Sequence, residues 1–174
     1  MEVSLEAIKE LRKMTSAGIS DCKEALIESQ GDINKAIEIL RKKGFKKVER
    51  LKDQEARQGR IESYVHFGNR LGALVEINCQ TDFAARSKDF IQFCEDIALQ
   101  IVAYPTEYIN KEDVPEEVLK GIEDKETFFK ESCLLEQSFI KEPSMTIKDY
   151  LCDIIAKLGE NVVIRRFVRY ELGK

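Results

Sequence analysis

The chain has 174 residues, of which 43% are hydrophobic and 34% are charged. That much apolar material suffices for a packed core, so the composition excludes a wholly disordered protein. The 28 basic and 32 acidic residues give a net charge of −4, which argues against general nucleic-acid binding but leaves room for a local basic patch.

The first residues are charged rather than apolar, and no apolar run reaches the ~18 residues that span a bilayer. The five cysteines are odd in number and widely spaced, and none form a CxxC pair. This pattern favours buried thiols in a reducing compartment over a disulfide framework or a zinc site. We therefore expect a cytoplasmic protein without a membrane segment, with a mature organellar protein as the alternative.

Residues 1–44 are predicted to form a module of three short helices. Ser4 is a candidate N-cap of the first helix, and the run Thr15-Ser16-Ala17-Gly18 breaks the helical pattern. Gly31 suits the left-handed conformation that ends the second helix, and the third helix is expected to end at Gly44.

Residues 41–60 carry nine basic and three acidic side chains, a local charge of +6. Because a sustained apolar face is missing, residues 45–60 are interpreted as a basic linker, part of it helical. A solvated linker is the simpler explanation of this charge run, and no specific nucleic-acid partner is predicted. Weak, salt-sensitive attraction to RNA is the alternative.

Residues 61–174 are predicted to form an α+β core. Alternating apolar residues in 61–67 and 71–79 flank a turn at Gly68-Asn69-Arg70, which is typical of a β-hairpin. A helix capped by Ser87 follows, and one or two helices are expected within 115–140. Thr146 is expected to open a further helix.

The last alternating run, residues 162–172, is predicted to be a strand. A late strand that joins an early hairpin makes a small antiparallel sheet covered by helices.

No catalytic constellation emerges from the sequence. His66 is the only histidine and lies in a predicted strand, where packing is the simpler role. Phosphate-binding glycine patterns are absent, so we expect no cofactor, no metal and no enzymatic activity. A thiol enzyme that pairs Cys79 with His66 is the weakest alternative.

The unusual stretch is residues 78–85, NCQTDFAA, between the hairpin and the next helix. Thr81 or Asp82 would serve as ordinary helix caps, and Phe83 would staple the helix to the sheet. The alternative is a rigid loop that presents an aromatic ring and a carboxylate outward, as interface hot spots do.

Three blocks of the sequence resemble the elongation factor Ts family of translation factors. They are residues 11–36, with the run TSAGISDCKEAL; residues 75–83, VEINCQTDF; and residues 134–139 and 159–167, LLEQSF and GENVVIRRF. Their order along nearly the whole chain makes the resemblance specific.

The resemblance implies a fold and a function. The fold is an amino-terminal three-helix, ubiquitin-associated-like (UBA-like) module, residues 1–44, a linker at 45–60 and an α+β core at 61–174. The function is guanine-nucleotide exchange on GDP-bound elongation factor Tu, achieved by binding its G domain and disturbing its Mg²⁺ and phosphate site. The implied partner-binding residues are Leu11, Arg12, Ile19, Ser20, Thr81, Asp82 and Phe83.

The resemblance implies three departures from other family members. The chain resembles a short form with one core unit, which implies a homodimer whose two cores present a combined surface. The segment between Pro115 and Cys133 is shorter than in other short members. The histidine that long members bring near the partner's phosphates has no match, and His66 does not replace it. A UBA-type module fused to an RNA- or protein-binding domain is the competing interpretation.

Overall fold

The computed structural model describes residues 4–15 and 17–174, without the side chains of Phe45 and Lys47. Ser16, part of the predicted turn, lies outside the described residues. The helices in chain order are α1 (Leu5–Thr15), α2 (Ile19–Glu28), α3 (Ile33–Leu51), α4 (Asp82–Ala85), α5 (Lys88–Ala103), α6 (Glu116–Leu119), α7 (Lys125–Ser132) and α8 (Ile147–Leu158). The strands are β1 (Gln58–Val65), β2 (Leu71–Cys79), β3 (Ser138–Phe139), β4 (Glu142–Thr146) and β5 (Val162–Glu171). None of these helices is both long and apolar enough to cross a membrane.

The chain divides into two compact units. One comprises Met1–Gln54 and Cys152–Asn161, and the other comprises Glu55–Leu151 and Val162–Lys174. The expectation of helices with a small antiparallel sheet is confirmed.

In the first unit, α1, α2 and α3 enclose a small apolar core. Its fully or nearly fully buried members are Ile8, Leu11, Cys22, Ala25, Leu26 and Ala36. The predicted caps are present: Ala7 N donates to Ser4 Oγ at 3.1 Å, and Gly31 ends α2 with φ +87°. Asp32 caps α3 by accepting from Lys35 N at 3.1 Å.

The prediction that the third helix ends at Gly44 is wrong, because α3 continues to Leu51. Gly44 does not adopt the left-handed conformation with which a glycine terminates a helix. It is buried, and a Cβ atom there would lie 3.9 Å from that of Ala156, which favours a small residue at this position. Much of the predicted linker is therefore regular structure, since β1 already begins at Gln58.

In the second unit, three antiparallel strands form a sheet in the order β1-β2-β5. The predicted hairpin and the predicted late strand are both confirmed. The inner face of β2 is buried through Val75, Ile77 and Cys79, and α5 packs on this side of the sheet. Phe90 N donates to Ser87 Oγ at 3.2 Å, so Ser87 caps α5 as expected.

The short hairpin of β3 and β4 was not predicted: β3 lies at the end of the range 115–140 in which helices were expected, and β4 lies just before the helix expected from Thr146. A polar cluster ties this hairpin to α5: Asp96, which is buried, accepts from Lys141 Nζ at 2.6 Å and from Tyr150 Oη at 2.9 Å. Burial and the adjacent Asp96 carboxylate raise the pKa of Tyr150 far above its usual range. Tyr150 therefore stays protonated and donates this hydrogen bond at any physiological pH.

Candidate protein-interaction site

The stretch singled out in the sequence forms a hydrogen-bonded corner between β2 and α5. Cys79 Sγ donates to the carbonyl oxygen of Thr81 at 3.2 Å. Thr81 Oγ1 then accepts from Ala84 N at 3.2 Å, which confirms Thr81 as the N-cap of α4. The backbone N–H of Ser87 donates to the carbonyl of Ala84 at 3.0 Å and leads directly into α5. Local hydrogen bonds thus fix the backbone of this corner on both sides of Phe83.

Ala84 is the inward-facing residue of α4, and its neighbour Phe83 points away from the fold. Ala84 is buried, whereas the Phe83 side chain is 83% exposed. Phe83 therefore does not staple the helix to the sheet, which was the simpler sequence interpretation. A phenyl ring left in water forgoes roughly 1.5–3 kcal/mol of burial free energy. Its placement on a rigid corner is typical of an anchor that a partner protein buries.

The carboxylate of Asp82 lies beside this ring on the first turn of α4. Its side chain is about half exposed and forms an ion pair with Arg86, whose Nη2 lies 3.1 Å from Asp82 Oδ2. Arg86 was not among the predicted site residues, although its i, i+4 spacing from Asp82 is the usual signal for such a pair. In solvent an exposed pair contributes at most about 1 kcal/mol, so Asp82 is free to exchange this partner for another.

The predicted contact residues of the amino-terminal module differ in exposure. Arg12, Ile19 and Ser20 are exposed, and Ile19 is 58% accessible at the start of α2. Leu11 is completely buried in the core of the module, so its predicted role as a direct contact does not fit this structure. Leu11 begins the first of the three blocks that resemble the family, and its role there is packing, because its side chain lies in the core enclosed by α1, α2 and α3. Met14, also exposed, is the apolar neighbour that the prediction omitted.

The thiol-enzyme alternative is not supported by the structure. Cys79 ends β2 and is fully buried, whereas His66 precedes the start of the same strand and faces solvent. Burial raises the pKa of Cys94 to about 12 and that of Cys133 to about 11. Among the described residues, no group of three or more His, Cys, Asp or Glu side chains is placed to hold a metal ion.

The outer face of the sheet is a second feature that sequence reasoning missed. Its exposed apolar side chains come from all three strands and the segment after β5: Ile61, Val65, Leu74, Val168, Tyr170 and Leu172. Leu74 stands in register with Ser63 on β1 and Val168 on β5, so these side chains share one face. Contiguous apolar surface of this kind marks an interaction site more often than a free surface.

The candidate site thus consists of an outward ring and a carboxylate on a hydrogen-bonded corner, and the same unit carries an apolar sheet face. A model of the family described as elongation factor Ts matches residues 1–127 and 122–174. The chain therefore belongs to the elongation factor Ts family. These are elongation factors of protein biosynthesis that act in guanine-nucleotide exchange.

Individual relatives match this chain over 90% or more of their own length. The chain is 47% identical over 195 aligned positions to elongation factor Ts of Caldanaerobacter subterraneus, covering 99% of this chain and 98% of the relative. It is 48% identical to that of Carboxydothermus hydrogenoformans, over 99% and 90% of the two chains. It is 45% identical to elongation factor Ts of Thermotoga neapolitana, covering 100% of this chain and 99% of the relative.

The alignments to these relatives are longer than the chain itself. They extend over 195 positions, 21 more than the 174 residues of this chain. The two parts of the family match overlap at residues 122–127, which run from the segment after α6 into the first turn of α7. A shortened segment between Pro115 and Cys133 stays a prediction.

Proposed function

We propose that this chain promotes the release of GDP from elongation factor Tu, by inserting Phe83 and Asp82 against its G domain. The observation that carries the proposal is the exposed ring of Phe83 on a corner whose backbone is fixed by hydrogen bonds. A ring on a flexible loop would lose entropy on binding, whereas this one is already ordered. The family membership supplies the partner.

Exchange requires a coupling between two binding events. If this chain lowers the affinity of elongation factor Tu for GDP, then GDP must lower the affinity of elongation factor Tu for this chain by the same ratio. Each 1.4 kcal/mol of this coupling free energy lowers the affinity of elongation factor Tu for GDP tenfold. The factor itself neither binds nor hydrolyses the nucleotide in this scheme.

Phe83 and Asp82 have separate tasks in the proposal. The ring acts as a wedge in an apolar pocket of the G domain, near the helices behind the Mg²⁺ site. Asp82 leaves Arg86 and accepts hydrogen bonds from polar groups of the partner, which helps to disorder the Mg²⁺ coordination. Thr81 holds both at the correct angle, because its hydroxyl caps the turn that carries them.

The amino-terminal module supplies a second contact on the same G domain. Arg12, Ile19 and Ser20 are the exposed members of the predicted set, and Leu11 supports them from the core. We propose that the three helices of this module have a UBA-like fold.

We further propose that two copies pair through the outer sheet face. Gly72 has no side chain, and a cleft of about 500 Å³ opens beside it, lined by Val65, Tyr170 and Leu172 among others. A second copy of the same face would fill this cleft with apolar side chains around a two-fold axis. The paired cores would then present a combined surface to the partner in the cytoplasm.

Release of fluorescent GDP from purified elongation factor Tu tests the proposed activity. Adding this protein at micromolar concentration, with excess unlabelled nucleotide, is expected to accelerate release at least tenfold. Heat-unfolded protein at the same concentration serves as the control. Release at the spontaneous rate in the presence of folded protein would reject the proposal.

A further inference from the structure

The helix α3 concentrates positive charge in an otherwise acidic chain. It contains seven basic and two acidic residues, a charge of +5, while the whole chain carries −4. The rest of the chain therefore carries −9. The proposed exchange mechanism uses none of this charge.

Three of the cations form a stripe along one side of the helix. Lys42, Lys46 and Arg50 follow one another at four-residue spacing, which places them on the same face. Successive members lie about 6 Å apart along the axis, from the rise of 1.5 Å per residue. All three side chains are exposed, and no carboxylate in the described part of the chain lies within ion-pair distance of them.

The neighbouring lysines behave differently. Lys43 Nζ lies 2.8 Å from Glu24 Oε2, and Lys52 Nζ lies 2.9 Å from Glu49 Oε2. Their charges are already neutralised by local partners, and the first of these pairs joins α3 to α2. Lys42, Lys46 and Arg50 have no such ion pair, and their charges are directed at solvent.

The surroundings of the stripe indicate the class of partner. The apolar side of α3 is committed to the core, since Ala36 is buried and Ile37 and Leu40 pack against it. A helix that lies in a membrane surface needs a free apolar face, which α3 lacks. Protein interfaces are poor in lysine and rich in aromatic residues at their centres, whereas two of the three residues in the stripe are lysines and none is aromatic.

We propose that Lys42, Lys46 and Arg50 form a weak, salt-dependent binding site for the phosphate backbone of double-helical RNA. Lysine and arginine without base-reading or stacking groups bind phosphates and ignore sequence. Because the stripe has no aromatic member, single strands, which are held by base stacking, fit it less well than duplexes. RNA is the relevant polyanion because the family acts in protein biosynthesis.

Fluorescence anisotropy with a labelled 20-base-pair RNA duplex tests this site without any GTPase present. Wild-type protein is expected to bind with a slope of log K against log salt of about −2 to −3, as three phosphate contacts require. The triple variant Lys42→Gln, Lys46→Gln, Arg50→Gln is expected to bind about tenfold or more weakly at 50 mM salt. Glutamine is a good helix former, and unchanged circular dichroism shows that α3 persists.

A matched variant controls for total charge. Lys111, Lys120 and Lys125 are exposed in the other unit, and their change to glutamine removes the same three charges. This variant is expected to bind RNA within about twofold of wild type. Equal losses in the two triple variants, or no loss in the α3 variant, would overturn the proposal. Tighter binding to phosphatidylserine vesicles or to polyglutamate than to the duplex would also overturn it.

Discussion

Arg86 and Asp82 face each other across one turn at the corner after β2, with Nη2 of the arginine 3.1 Å from Oδ2 of the aspartate. Both side chains reach solvent, and Phe83 projects beside them. In the free protein the arginine therefore holds the carboxylate in place without burying it. An acid held in this way is ordered before the partner arrives and still available to it.

Asp82→Asn is expected to slow factor-stimulated GDP release by about tenfold to a hundredfold. The change keeps the shape of the side chain but removes the charge, and hydrogen bonds to a charged group contribute about 1.5–3 kcal/mol. Arg86→Gln is expected to cost at most about fivefold, since it removes only an exposed pair. Stopped-flow release of labelled GDP measures both. A larger loss in Arg86→Gln than in Asp82→Asn would make the arginine the direct contact instead.

Leu74→Glu is expected to convert the proposed dimer into a monomer. Leu74 lies at the middle of the outer sheet face. A glutamate there would be buried in the dimer without a cation, close to the same glutamate of the second copy, which is strongly unfavourable. Val118→Glu, at a similarly exposed valine on α6, is the control and should not alter association. Sedimentation equilibrium at micromolar concentration distinguishes the two species. Wild-type protein that sediments at 20.0 kDa would refute the dimer.

Gly59→Ala is expected to destabilise the fold by about 3 kcal/mol. Gly59 lies opposite Asn78 in the sheet with φ +147°, and an added Cβ would lie 2.1 Å from the carbonyl oxygen of Ile77. The two strands would have to separate immediately before the corner that carries Phe83. Gly121→Ala has open space around it and a permitted backbone, so it should leave stability within about 0.5 kcal/mol. Urea unfolding of both variants makes the comparison.

The thiols are expected to be inert in the folded protein. All five cysteines are buried, and burial raises the pKa of Cys94 to about 12, so its thiolate is scarce at pH 8. Titration with a chromogenic disulfide reagent at pH 8 should therefore detect less than about one mole of thiol per mole of chain in the first minutes. The same reagent in guanidinium should detect all five. One fast-reacting thiol in the native protein would revive the thiol-enzyme alternative.

The local signals in the sequence predicted much of the fold. Ser4, Thr81 and Ser87 cap the helices that they were expected to cap, because a side-chain oxygen beside free backbone N–H groups acts over three residues. Thr146 caps α8 in the same way, accepting from Asp149 N at 3.1 Å. The strands within 61–67 and 71–79 were likewise predictable, because alternating apolar residues are a local signal of a half-buried strand.

Features that depend on distant packing were not predictable. Gly44 was expected to end a helix, but it is buried near Ala156, more than a hundred residues later in the chain. The strands β3 and β4 have only two and five residues, too few for alternation to be recognised. The contrast between Phe83 and Leu11 is of the same kind, because sequence identifies an apolar residue but not the side of the fold on which it lies.

The rate of GDP release from elongation factor Tu, measured with wild type, Phe83→Ala and Phe67→Ala, tests the central proposal most directly. Phe67 is a matched control, since it is 97% exposed and lies in the turn at the opposite end of β2. Neither variant should change stability by more than about 0.5 kcal/mol, because neither ring is packed in its own chain. We predict that Phe83→Ala loses at least about tenfold in stimulated release, from roughly 1.5–3 kcal/mol of lost burial, while Phe67→Ala keeps the wild-type rate. A wild-type rate in Phe83→Ala would contradict the account.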